Sequence, residues 1–257
     1  MLSVDVITRT VEEFLPDLDQ PTGEFLQRCF SQDLSVYSDR LAACGFSGLN
    51  RVLDAGCGFG QWSLCLSRMN AHVEAIDPSS ERIILLKRLI ASLGLDNLRA
   101  RRMDLDGLDY PDGHFDGVFL FNVLTILPWR HALRELYRLL APGGRIYVNA
   151  AGVGWQVHRW YTSHNATKGF SPRARIPKIF DKTWRYEQGL PVEAEGDLLI
   201  EPAELTAELN ACGFVDVRLS GDGQTRVAGY AGPEPRRFYD GEYFGLPGVF
   251  EAVATKP

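Results

Sequence analysis

Nine consecutive residues, Val52-Leu-Asp-Ala-Gly-Cys-Gly-Phe-Gly60, constrain this chain more than any other stretch. Glycines at alternate positions 56, 58 and 60 interrupt both helix and strand and allow backbone turns that side chains forbid. The apolar run before them, Arg51 to Ala55, reads as a short strand, and Gln61 to Met69 reads as a helix. Strand, glycine turn and helix form the opening of a βαβ unit. Open α/β sheets bind their ligands beyond the carboxyl ends of the strands, where this turn lies.

The same rhythm continues downstream. His72 to Asp77 reads as a second strand. Ser80 to Leu93 reads as a helix, stopped by Gly94. Leu98 to Met103 and Phe115 to Leu124 read as the third and fourth strands. Pro128 to Leu140 follows as a helix with Leu133, Leu136, Tyr137 and Leu140 on one face. Pro142-Gly143-Gly144 ends it, and Arg145 to Asn149 is a fifth strand. Pro202 opens another helix that Gly213 closes. Val215–Leu219 and Val249–Ala254 are the closing strands. Such alternation predicts an α/β fold, with a mostly parallel sheet and helices on both faces.

Two stretches depart from this rhythm. Residues 1–48 are amphipathic and helical, a predicted N-terminal lid. Residues 151–200 are too long for a plain connection and predict an inserted cap, so the core spans 49–257 with that cap inside it. Gln224 to Gly248 is a second long excursion. The N-terminus lacks the basic and apolar regions of a signal peptide, and the longest apolar stretch, near 117–128, is too short to span a bilayer. A cytoplasmic location without membrane association is expected. Five cysteines with no C-x-x-C pair predict free thiols rather than disulfides or zinc, and no metal site is expected. The net charge of −6 argues against a general nucleic-acid surface.

Three carboxylates give the glycine turn its chemistry. Asp54 stands just before the glycines, where it attracts a cationic amino acid moiety and repels a diphosphate. Asp77 ends the second strand, where it can accept two ribose hydroxyls or cap the following helix. Asp104 follows the third strand, near an adenine amino group, with Asp106 competing for that position. A dinucleotide fold would need Gly-x-Gly-x-x-Gly, and here the third glycine is one place early. Asp116 reads as structural, and Cys57 as a small packing residue rather than a nucleophile.

With VLDAGCGFG, AIDPS, MDLDGLDYPDGHFDGVFLFNVL and LRELYRLLAPGGRIYV in this order, residues 50–150 resemble the class I methyltransferases that use S-adenosylmethionine (SAM), in particular the small-molecule type. The closing CGFVDVRL and FEAVATKP fit the same family. The resemblance implies a Rossmann-like seven-stranded sheet, parallel except for its last strand. It implies that Asp54, Gly56 and Gly58 line the methionine part of SAM, with Cys57 and Gly60 completing the cofactor-binding loop. The same resemblance implies that Asp77 binds the ribose, that Asp104 meets the adenine amino group and the Leu105 amide an adenine nitrogen, and that Asn122 faces the methionine end through its main chain.

The methyl of a sulfonium is already activated, so positioning supplies most of the rate and no catalytic residue is universal. Selection of the acceptor falls to the excursions. Trp155 to Tyr161 is dense in aromatic and hydrogen-bonding groups, and His158 is the candidate base, with His164 as the other histidine in reach. Lys168, Arg173, Arg175, Lys178, Lys182 and Arg185 form a basic cap that either covers an anionic acceptor or pairs with the acidic stretch 187–208. Tyr37 and Arg40 could touch the cofactor carboxylate. The expected reaction is methyl transfer to O or N of a small biosynthetic metabolite. The alternatives are an RNA-modifying methyltransferase and a non-catalytic SAM-binding regulatory protein.

Overall fold

Val52, Leu53 and Ala55 are wholly buried, as a strand flanked on both edges requires. In the computed structural model, which describes residues 2–167, 169–193 and 196–257, they lie on β1 (Arg51–Ala55). The strands that follow are β2 (His72–Asp77), β3 (Leu98–Arg102), β4 (Phe115–Leu120), β5 (Leu140–Ala151), β6 (Val215–Gly221), the short pair β7 (Glu242–Tyr243) and β8 (Leu246–Pro247), and β9 (Val249–Thr255). Seven of them form one sheet in the order β3-β2-β1-β4-β5-β9-β6. β1 is parallel to β2 and β4, and β2 to β3, while β9 is antiparallel to both its neighbours. This is the mostly parallel seven-stranded sheet expected from the sequence.

The helices are α1 (Val4–Phe14), α2 (Gln20–Phe30), α3 (Ser35–Ala43), α4 (Gln61–Met69), α5 (Ser80–Leu93), α6 (Trp129–Leu139), α7 (Val153–Thr162), α8 (Pro172–Glu187) and α9 (Pro202–Cys212). Their ends carry the expected signals. The Ser79 side chain caps α5, and Gly94 closes it at φ +63°. A Glu201–Glu204 capping box opens α9, with Pro202 at its first position.

The chain divides into two compact units. The first comprises 1–120, 139–144 and 226–236, and the second 121–138, 145–225 and 237–257. In the first, α1 packs on α5 and α3 on α4, so the N-terminal helices share a unit with β1–β4. Its core contains a chain of aromatic contacts from Tyr37 to Trp62 to Phe119 to Phe46. Arg40, wholly buried, donates a hydrogen bond to the Arg236 carbonyl, and the Val227 amide donates to the Ala43 carbonyl at 2.8 Å. In the second unit α7 packs on α8 and on β7 and β8, and α9 packs on β6.

One boundary differs from the sequence expectation. Pro142-Gly143-Gly144 is not a turn ahead of the fifth strand; β5 begins at Leu140 and takes these residues in. Gly143 provides a φ of +78° within the strand. A Cβ at Gly144 would stand 2.8 Å from the Ala141 carbonyl oxygen, so the close backbone approach excludes a side chain there.

Candidate functional site

The glycine turn leaves β1 and is tied at once to β2. The amides of Gly56 and Cys57 both donate to the Ile76 carbonyl, at 2.8 and 2.9 Å. Gly58, at φ +56°, donates its amide to Asp77 Oδ2 at 3.0 Å. A Cβ at Gly58 would meet nothing, so this face of the turn is open to a ligand. At Gly60, φ is +93° and a Cβ would stand 2.4 Å from a Leu86 methyl. The positive φ favours glycine there, and Leu86 of α5 fills the space beside it. Cys57 is buried, and burial together with Asp54 and Asp77 raises its thiol well above the usual range, consistent with a packing residue.

Asp54 is 1% exposed and accepts a 2.5 Å hydrogen bond from the Ser63 hydroxyl. Burial pushes its carboxyl up to about 7, against the Ser63 bond and with help from the Asp77 charge. A carboxylate offers about four acceptor sites. One hydroxyl leaves capacity for the ammonium of an amino acid moiety, whose charge would restore the ionised form.

Asp77 serves several donors at once. Oδ1 accepts from the Ser79 amide at 2.9 Å, and Oδ2 from Gly58 and, at 3.4 Å, from Arg82 Nη1. The Arg82 guanidinium lies over the Phe25 and Phe59 rings at 5.7 and 5.8 Å. Asp77 thus organises the turn into α5 and lies beside the glycine loop. Asp104 is exposed and bonds only locally, to the Asp106 amide at 3.3 Å. Among the described residues the Leu105 amide has no hydrogen-bond partner, which leaves it free for a ring nitrogen. The open glycine face, the partly satisfied Asp54 and the free Leu105 amide fit SAM.

The second unit contains a polar cavity of about 210 Å3. Asn122 lines it in a left-handed conformation, φ +58°, which asparagine tolerates best among residues with a side chain. Asn149, buried at the end of β5, locks this conformation. Its Oδ1 accepts the Asn122 amide at 2.6 Å and its Nδ2 donates to Asn122 Oδ1 at 2.8 Å. The main-chain donor of Asn122 is therefore already engaged, and its carbonyl is the main-chain group left for a ligand. Asn122 Nδ2 donates to the Tyr239 hydroxyl at 3.3 Å. Asp222, buried, accepts the Phe238 and Tyr239 amides and fixes that loop. Trp155, Gln156 and Arg159 complete the polar and aromatic wall.

His158 stands beside this wall. Its ring stacks on Trp155 at 5.7 Å and lies tilted against Tyr243 at 4.3 Å, with His164 5.7 Å away. Burial and the neighbouring His158 and Arg159 lower the His164 pKa. Sequence reasoning marked the segment 155–161, which includes Arg159, but missed Asn149 and Tyr239. A buried asparagine following the Ile146-Tyr147-Val148 run of β5 was the available signal for the first; nothing local marked Tyr239.

The basic residues of α8 face the stretch 187–208 in part, with Asp197 and Glu193 near Lys182. Arg173 donates to the Trp160 and Tyr161 carbonyls, Lys182 to Gly196 and Arg185 to Pro191. Lys168 lies outside the described residues. Glu187 and Glu208 of the acidic stretch pair with Arg130 and Arg134 of α6. Tyr37 and Arg40 also have interior partners, the Cys29 and Arg236 carbonyls, which accounts for their burial. Asp116 accepts the Arg51 amide at 2.8 Å, a structural role.

Known proteins agree with this geometry. A family model described as a methyltransferase domain matches residues 52–144. Demethylmenaquinone methyltransferase of Thermus thermophilus is 36% identical over 101 residues, 38% of this chain and 46% of that protein. The chain thus spans under half the length of this curated relative. A SAM-dependent methyltransferase of Thermotoga maritima superposes with a TM-score of 0.54 at 17% identity, over 86% of this chain and 89% of that one. Geranyl diphosphate C-methyltransferase of Streptomyces coelicolor gives 0.58 at 14% identity, over 87% and 79%. At these identities the structures speak for the fold alone. The matched segment coincides with the glycine turn and its carboxylates, so residues 52–144 are similar to a methyltransferase domain.

Proposed function

We propose that this protein is an enzyme that binds SAM and transfers its methyl group to O or N of a small-molecule acceptor. The observation that carries this reading is the buried Asp54 at the open glycine turn, a carboxylate placed for a cationic amino acid moiety and against a diphosphate. Asp54, Gly56 and Gly58 hold the methionine part, Asp77 the ribose, and Asp104 with the Leu105 amide the adenine. SAM supplies an activated methyl on a sulfonium. The protein's contribution is to hold a nucleophile in line with it and to keep water away.

The cavity of the second unit is the acceptor site in this reading. It has amide and hydroxyl groups from Asn122, Asn149 and Tyr239, and Trp155 as an aromatic wall. His158, stacked on Trp155, is the base for an acceptor that must lose a proton. The Thermus relative's name gives a small-molecule acceptor, which favours this reading over an RNA substrate. Among the described residues no helix is long and apolar enough to cross a membrane.

Calorimetric titration with SAM and S-adenosylhomocysteine tests the reading. Saturable binding that Asp77→Ala weakens supports it. No binding of either ligand would overturn it.

A further inference from the structure

Arg159 is the charged group in the acceptor cavity that its neighbours satisfy least. Its side chain is 12% exposed. Nη1 reaches Gln156 Oε1 at 3.4 Å, a long hydrogen bond, and Asp197 Oδ2 at 3.8 Å, beyond hydrogen-bond distance. Nε is buried with no partner among the described residues. The remaining surroundings are rings, Trp155 at 6.0 Å and Phe170 at 5.5 Å from the guanidinium carbon. A guanidinium has five N–H donors in a planar fork, and a nearly buried one left this open is expensive unless something else engages it. Burial pulls its pKa below the usual arginine value.

Cavity size narrows what can engage it. A dry cavity of about 150 Å3 holds benzene, so about 210 Å3 accommodates one ring with small substituents. The Trp155 wall suits a flat ring, and the guanidinium fork matches a carboxylate through two parallel hydrogen bonds. Resting on the reading of this cavity as the acceptor site, we propose that the acceptor is a small single-ring carboxylate. Arg159 is its counterion, and Asn122 and Tyr239 lie among the groups that orient the rest of the ring. Asp197 works against this ligand: it half-neutralises Arg159 and must give up that loose pairing when a carboxylate arrives. Arg159 is thus a specificity residue rather than a catalytic one.

The test is calorimetric titration of the full chain with benzoate, 4-hydroxybenzoate and benzamide, with S-adenosylhomocysteine present and absent. The carboxylates are expected to bind, with benzamide weaker by about tenfold or more, as loss of a charged hydrogen bond implies. Arg159→Gln should remove that preference and leave S-adenosylhomocysteine binding unchanged. Asp197→Asn should tighten the carboxylates several-fold, a gain that a purely structural ion pair would not give, and one that does not depend on how Arg159→Gln folds. Equal binding of benzoate and benzamide, binding of neither carboxylate, or weaker carboxylate binding in Asp197→Asn would overturn the proposal. Failure of S-adenosylhomocysteine to bind would instead overturn the methyltransferase reading. Carboxylate titration without it would still decide the role of Arg159.

Discussion

The amide of Gly58 donates to Oδ2 of Asp77 at 3.0 Å, so the glycine turn after β1 is held by the carboxylate that ends β2. This bond makes Asp77 a brace for the loop in addition to its proposed place in the cofactor site. Asp77→Ala is expected to weaken S-adenosylhomocysteine binding by about tenfold or more, since charged hydrogen bonds are lost. Asp77→Asn keeps an acceptor for the Ser79 or Gly58 amide and should lose less. Calorimetry on both variants separates the two contributions, and equal affinity in wild type and Asp77→Ala would remove Asp77 from the cofactor site.

Asp54 predicts an unusual pH profile. Its carboxyl lies at about 7 in the folded protein, against 3.8 for an ordinary aspartate. The folded state therefore holds the proton more tightly than the unfolded state. The stabilisation is complete below pH ~4 and is lost as pH rises through about 7. Thermal unfolding of the ligand-free protein should show this decline between those limits. Asp54→Asn, neutral throughout, should flatten it and raise Tm at pH 8, yet weaken SAM binding. At pH 6, SAM binding to the wild type should release a proton, visible as a dependence of the calorimetric heat on buffer ionisation enthalpy.

Glu208 on α9 receives Arg134 at 2.9 Å and Arg130 at 3.2 Å, and Arg130 also reaches Glu187 at 2.8 Å. Glu208→Ala should cost about 1–2 kcal/mol, less than a fully buried pair because the arginines can rehydrate. The loss should shrink in high salt. Denaturant unfolding at two salt concentrations measures both, and an unchanged midpoint would show the network to be ornamental to stability.

Arg40 is expected to matter for stability and not for the cofactor. Arg40→Met leaves the Arg236 carbonyl without this donor and should destabilise by about 1–3 kcal/mol. S-adenosylhomocysteine affinity of the folded variant should stay at the wild-type value. A selective loss of affinity would return Arg40 to the cofactor carboxylate.

The glycine turn and the carboxylates around it were legible in the sequence because they are set by local elements. Asp54, Gly56, Gly58 and Gly60 are held by one turn, and Asp77 and Asp104 each follow a strand whose apolar run is plain. The cavity of the second unit was not, because its residues converge from 122 to 239. Asn149 looks like the end of a strand until its amide is found locking Asn122 at φ +58°. The basic run of α8 was legible only in part. Asp197 and Glu193 do stand near Lys182, but several of its cations also donate to backbone carbonyls, and Glu187 and Glu208 pair with arginines of α6. Strand β5 absorbed Pro142-Gly143-Gly144 because backbone proximity at Gly144 outweighed local turn preference.

The Arg40–Arg236 bond joins residues 196 positions apart. Arg40 is wholly buried, so during synthesis its guanidinium waits for an acceptor that does not yet exist. At ~5–20 residues per second that interval is about 10–40 s. Throughout it the N-terminal helices must either stay open or shelter an arginine missing this partner, and Val227, which closes on Ala43, arrives almost as late. The first unit is thus early in sequence but late in completion, because it closes only once residues 226–236 have been made.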